Sequence, residues 1–143
     1  MSKYSGIWPV APTPFHPNGE VDYEGMKRVL DCMIDQGVDG ICILANFSEQ
    51  FLITDAEREA LSRLSLEHVA GRVPVIVTIS HYATHIVLQR ARLSKELGAT
   101  MVMMMPPYHG ALLKGTPDQT FEQFAKVGEV GIPIMIQDLS LIH

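Results

Sequence analysis

Four stretches of this chain share one grammar: a helix-like segment closes at a glycine, a short connector follows, and a compact apolar run comes next. They are DQGVDGICIL (35–44), AGRVPVIVT (70–78), KELGATMVMMM (95–105) and GEVGIPIMI (128–136). Runs that are apolar at nearly every position suit strands covered on both faces, as in parallel sheets flanked by helices. Their spacing is about 30 residues, the length of one βα unit and not of a stacked-helix repeat. With the opening GIWPV (6–10), five strands are expected.

The segments between these runs carry helix start signals. Asp22 can cap a first helix whose apolar residues Met26, Val29, Leu30 and Met33 recur at three- and four-residue spacing, ending before Gly37. Thr54 with Glu57, and Thr116 with Gln119, fit capping boxes, and Pro117 suits a first helical turn. A further helix is expected from Thr84 to Leu97, stopped by Gly98. Five strands alternating with four helices define an α/β chain, either a (β/α) barrel or an open doubly wound sheet. No Gly-x-Gly-x-x-Gly or Walker pattern follows a strand, which weakens the nucleotide-binding sheet and favours the barrel.

Composition narrows the partners. The 143 residues are 47% hydrophobic and 19% charged, the makeup of one globular domain with a buried core. Net charge is -5 and the eleven Lys and Arg are scattered, so neither nucleic acid nor an anionic membrane is expected as a partner; small polar ligands or proteins are. No apolar run approaches the roughly 18 to 20 residues that span a bilayer, and no leader-like segment opens the chain, so a cytoplasmic location is expected. Cys32 and Cys42 lack the spacing of a disulfide framework or zinc site and read as reduced, buried thiols.

In either architecture, ligands meet the carboxyl ends of the strands. Those ends are Asn46-Phe47-Ser48-Glu49, Ser80-His81-Tyr82, Pro106-Pro107-Tyr108-His109 and Gln137-Asp138. Each cluster alone reads as ordinary loop chemistry. Four of them on one rim read as a site. His81 and His85 have the spacing of a helical metal pair, but no Glu follows the first and no third ligand is evident, so no metal and no other cofactor is expected. Met101, Met103, Met104 and Met105 read as adaptable core, and Glu49 as a scaffold acceptor before a general base.

At these residues the chain resembles the dihydrodipicolinate synthase and N-acetylneuraminate lyase family, class I aldolase-type (β/α)₈ barrels that act on pyruvate and other 2-keto acids. The resemblance runs from residue 6 to about residue 138. It rests on Gly6-Ile7-Trp8-Pro9 through Thr13-Pro14-Phe15, Asn18-Gly19-Glu20-Val21-Asp22, Gly37-Val38-Asp39-Gly40, Thr54-Asp55-Ala56-Glu57-Arg58 and Pro106-Pro107-Tyr108. Where most of the family has Gly-Thr-Thr-Gly-Glu, which holds the substrate carboxylate, this chain has Ala45-Asn46-Phe47-Ser48-Glu49. The second Tyr of the family's Pro-Pro-Tyr-Tyr is His109, and the strand-five Tyr that relays protons in imine chemistry falls at Gln137. With Asn-Phe-Ser-Glu-Gln-Phe, Ser-His-Tyr and Gln-Asp, the chain is similar to a divergent branch, the 2-keto-3-deoxy-L-arabonate dehydratases of pentose oxidation.

The resemblance implies a Schiff-base-forming lyase, a dehydratase acting on a 2-keto-3-deoxy sugar acid, with a pyruvate-dependent aldolase or synthase as the alternative. A carboxylate- or protein-binding fragment without catalysis is the alternative of another class. Substrate-binding residues would be Asn46, Phe47, Ser48, His81 and Tyr82; candidates for catalysis are Gln137, His109 and Tyr108. The full-length protein would be a homo-oligomer, a tetramer in the family's usual form.

The resemblance places the imine-forming Lys on a sixth strand. The five lysines here, Lys3, Lys27, Lys95, Lys114 and Lys126, fall ahead of the first strand, on helices or in a polar loop. A (β/α)₈ barrel takes about 250 residues. The chain is therefore expected to be the N-terminal part of one barrel domain over residues 1–138, inactive as it stands. Leu139–His143 are expected to be a non-native tail; one back-translation, CTG TCT CTT ATA CAC, coincides with a transposon end used in sequencing libraries.

Overall fold

Helices begin where a side chain can take over an amide that the helix itself leaves unpaired. In the computed structural model, which describes residues 4–109 and 113–138, α1 (Tyr23–Asp35) starts after Asp22, whose carboxylate accepts the Gly25 N–H at 2.7 Å. Strand β1 (Ile41–Ile43) leads to α2 (Asp55–Val69), where Thr54 and Glu57 close the expected capping box. Then come β2 (Val75–Thr78), α3 (Thr84–Glu96) and β3 (Met101–Met104). A two-stranded antiparallel ribbon, β4 (Tyr108–His109) with β5 (Leu113–Lys114), precedes α4 (Pro117–Gly128) and β6 (Ile134–Ile136). Thr116 and Gln119 box the start of α4, with Pro117 in its first turn.

The main sheet is parallel, and its strand order β1-β2-β3-β6 is the order of the chain. A doubly wound sheet reverses its order at a switch point. Here the order runs one way, as in the wall of a barrel. Cys42 lies beside Ile76, Ile76 beside Met101, Thr78 beside Met103, and Met103 beside Met135. Side chains alternate across this register. Ile41, Ile43, Val75, Val77, Ile79, Val102 and Met104 pack outward with Met26 and Leu30 of α1, Leu61 of α2, Val87 of α3 and Val127 of α4. Cys42, Ile76, Met101 and Met103 form a second cluster on the inner face, with Tyr4, Trp8 and Val10 against it.

The opening stretch lies beside β1 in an interrupted form. Asp39 and Cys42 donate to the carbonyls of Ile7 and Pro9, and Ala11 donates to Cys42. Only Val10–Cys42 forms a bridge, parallel in sense. Pro9 has no N–H to complete the ladder, so the first of the five expected strands is reduced to these contacts. Trp8 lies so close to Gly40 that a Cβ there would fall 2.3 Å from the ring. Glycine is what lets the indole close the bottom of the inner face.

Two expectations change. Cys42 is buried as expected, but Cys32 is exposed; it falls two residues past Leu30 on α1, off the stripe that faces the sheet. The β4–β5 ribbon had no sequence signal, because strands of two residues carry no periodicity. Leu139–His143, expected to be a tail, and Lys3 lie outside the described residues. Among the described residues, no helix is long and apolar enough to cross a membrane.

Candidate functional site

After β1 the backbone turns sharply. Leu44 adopts a left-handed conformation at φ 60°, Asn46–Ser48 form one 3₁₀ turn, and Glu49 is again left-handed at φ 56°. Such conformations cost a residue with a side chain about 1 to 2 kcal/mol each, so packing around the loop must hold them. Ser48 is the fastener: its hydroxyl donates to Ala11 O at 2.6 Å and accepts from Ala45 N at 3.1 Å, while its carbonyl accepts from Thr13 Oγ1 at 2.8 Å. At 1% exposure it is buried and ties the loop to the opening segment. Phe47 is 70% exposed, on the outside of the loop.

Asn46 faces the other way. Its Nδ2 donates to Met105 Sδ at 3.7 Å, and its Oδ1 accepts from Gln50 Nε2 at 2.5 Å. Gln50 Oε1 in turn accepts from Arg58 Nη2 at 3.0 Å, and Arg58 Nη1 donates to Thr78 O at 2.7 Å. Arg58 and Gln50 are both buried. Burial, followed by the nearby charge of Arg90, pushes the guanidinium down to about 9, which leaves it a cation at neutral pH.

The ends of β1, β2 and β3 meet around a cavity of about 170 Å³ lined by Gln50, Arg58, Ser80, His81, Tyr82 and Arg90, among others. Arg90 crosses from α3 to donate to Ser80 O at 2.8 Å and to Asp55 at 3.0 Å. Ser80 Oγ accepts the Met105 N–H at 3.0 Å, which joins the ends of β2 and β3. His81 stacks on Tyr82 with ring centres 4.3 Å apart, and its Nδ1 accepts the Ala83 N–H at 2.9 Å. Burial and then Arg90 hold its pKa below the ordinary imidazole value. With Nδ1 engaged as acceptor, the neutral ring carries its proton on Nε2.

The expected site residues thus divide. His81 and Tyr82 line the cavity, and Asn46 reaches two of its other lining residues, Gln50 and Met105, whereas Phe47 turns outward and Ser48 is buried. Gln137 lies one residue past the Met104–Ile136 pair, opposite Met105, and its N–H donates to Met104 O at 3.0 Å. Tyr108 and His109 leave the main sheet, pairing with Lys114 and Leu113 in the ribbon. Lys27 pairs with Glu24, Lys126 with Glu122, and Lys95 Nζ donates to Val130 O, all away from the strand ends. Among the described residues, no three His, Cys, Asp or Glu gather as metal ligands. Arg58, Gln50 and Arg90 were not expected in the site. The available signal was Arg58 and Ser62, four residues apart on the face of α2 that also carries Leu61 and Val69.

Comparison with known proteins gives a consistent picture. The model of the dihydrodipicolinate synthetase family matches residues 3–139. An L-2-keto-3-deoxyarabonate dehydratase of Azospirillum brasilense is 57% identical over 137 residues, 95% of this chain and 44% of its own length. The crystal structure of an N-acetylneuraminate lyase from Mycoplasma synoviae superposes with a TM-score of 0.89 at 26% identity, over 99% of this chain and 49% of that one. A prophage protein of the dihydrodipicolinic acid synthase family from Escherichia coli K12, solved in complex with pyruvate, gives a TM-score of 0.87 at 26% identity, over 94% and 45%. The chain spans about half the length of each.

Proposed function

Because the chain belongs to the dihydrodipicolinate synthetase family, we propose that it supplies the strand-end loops of a Schiff-base-forming lyase, a dehydratase of 2-keto-3-deoxy sugar acids such as 2-keto-3-deoxy-L-arabonate. The observation that carries this reading is the 57% identity to the arabonate dehydratase across 95% of the chain. The loop geometry supports it, since Asn46 offers an amide N–H at the inner end of β1, where a substrate carboxylate would be held.

In this reading an amine attacks the 2-keto group and water leaves as the imine forms. The iminium draws electrons from the C3–H bond, a base takes that proton, and the C4 hydroxyl departs as water. Hydrolysis of the product imine then frees the amine. Lys27, Lys95 and Lys126 are engaged with Glu24, the Val130 carbonyl and Glu122, and in this reading the amine is the sixth-strand Lys that the family resemblance implies. Asn46 binds the carboxylate, with Ser48 holding the loop that presents it. His81 and Tyr82 border the substrate. Gln137, opposite Met105, can orient a hydroxyl but cannot ionise to relay a proton, which leaves acid–base work to groups such as Tyr108 or His109. The substrate is a small molecule, and the working form is a homo-oligomer, a tetramer.

The test is borohydride trapping of the full-length protein carrying this segment, incubated with 2-keto-3-deoxy-L-arabonate or with pyruvate. A trapped adduct, with loss of water from the sugar acid, is expected. Release of pyruvate from the sugar acid would assign an aldolase, and absence of any adduct would end the Schiff-base reading.

A further inference from the structure

The bond pattern around Asn46 contains a directional constraint. A guanidinium has donors only. Arg58 therefore imposes oxygen on the facing end of the Gln50 amide, at 3.0 Å, and Gln50 must direct its NH₂ to Asn46. The facing atom of Asn46 is then its oxygen, which leaves the Asn46 NH₂ on the far side, beside Met105 Sδ. Met105 is buried, follows Met101 and Met103 at two-residue spacing past the end of β3, and lines the strand-end cavity. A thioether is a weak acceptor, so the Asn46 donor has capacity left for a ligand.

We propose that Arg58, acting through Gln50, is a positioning residue that locks the Asn46 amide with its NH₂ toward the barrel interior, selecting a carboxylate over a hydrogen-bond donor at that end of the substrate. The inference deepens the lyase reading and rests on it. Arg58 suits the task because it is buried and its guanidinium donates to the Thr78 carbonyl and to Gln50, with no carboxylate bonded to it among the described residues. Its charge polarises the two amides in line. A lysine could not hold both acceptors in the same fork.

Gln50→Glu in the full-length protein tests this. The substituted carboxylate accepts from Arg58 at one end, and at the other it draws the Asn46 NH₂ toward itself, which turns the Asn46 oxygen inward. The expected result is a melting temperature no lower than that of the parent and a KM for 2-keto-3-deoxy-L-arabonate raised about tenfold or more, the scale of one charged hydrogen bond. kcat should fall far less than KM rises. Borohydride trapping of hydroxyacetone, a carbonyl without a carboxylate, should keep its half-saturation. If Gln50→Glu does not fold, Arg58→Lys carries the test, with a smaller rise in KM and the same contrast between the two carbonyls. A KM unchanged, or half-saturation raised equally for both carbonyls, overturns the relay while the lyase reading stands. A parent protein that traps neither carbonyl overturns both.

Discussion

Ser48 shows how position and role can separate within one residue. Its place at a strand end marked it as a ligand group, yet its hydroxyl is spent on Ala11 and Ala45. Ser48→Ala removes both bonds from a buried site and should cost about 1 to 3 kcal/mol, read as a lower midpoint in chemical denaturation. His81 gives a pH prediction. Burial holds its folded pKa below the unfolded value of 6.5, so the unfolded chain binds the proton more readily. The stability from its neutral form is present above about pH 6.5 and is lost as pH falls through that value toward the folded pKa. Melting temperature should decline from pH 7.5 to 5, and His81→Gln should flatten that part of the curve. Asn46, His81 and Tyr82 were legible as strand-end residues because each closely follows an apolar run. Arg58 and Gln50 were not, because a charged residue in a first helical turn looks the same in sequence whether solvated or buried.

The helices were legible almost to the residue, since Asp22, Thr54 and Thr116 announce their starts and Gly37 and Gly98 their ends. Strand edges were less so, because Pro9 interrupts a ladder that apolar character alone would have completed. The end of α2 carries a correctable defect. Ala70 caps it in the left-handed conformation at φ 49°, exposed, with its N–H donating to Leu66 O. Ala70→Gly removes the Cβ penalty and should raise stability by about 0.5 to 1 kcal/mol, measurable as a higher melting temperature. Further along the buried face of α2, Ser65 Oγ has no hydrogen-bond partner among the described residues. Ser65→Ala should therefore be neutral or stabilising by about 1 kcal/mol in the same assay.

The whole sheet has a closed side and an open one. Trp8 and Tyr4 cover the inner face near β1, while among the described residues β6 pairs only with β3, and Ile136 is 65% exposed and Met135 40% exposed. Unpaired strand edges invite pairing with other chains. The 143-residue chain should self-associate as concentration rises in sedimentation or light scattering, and Ile136→Lys should reduce that association. The one-way strand order that distinguishes a barrel wall from a doubly wound sheet also has a temporal consequence. Along this wall each strand docks on the strand already made, and no place between two neighbours waits for a later one. A ribosome delivers a unit of about 30 residues every few seconds, at roughly 5 to 20 residues per second. The wall can therefore be laid course by course during synthesis, with each new strand finding its template finished.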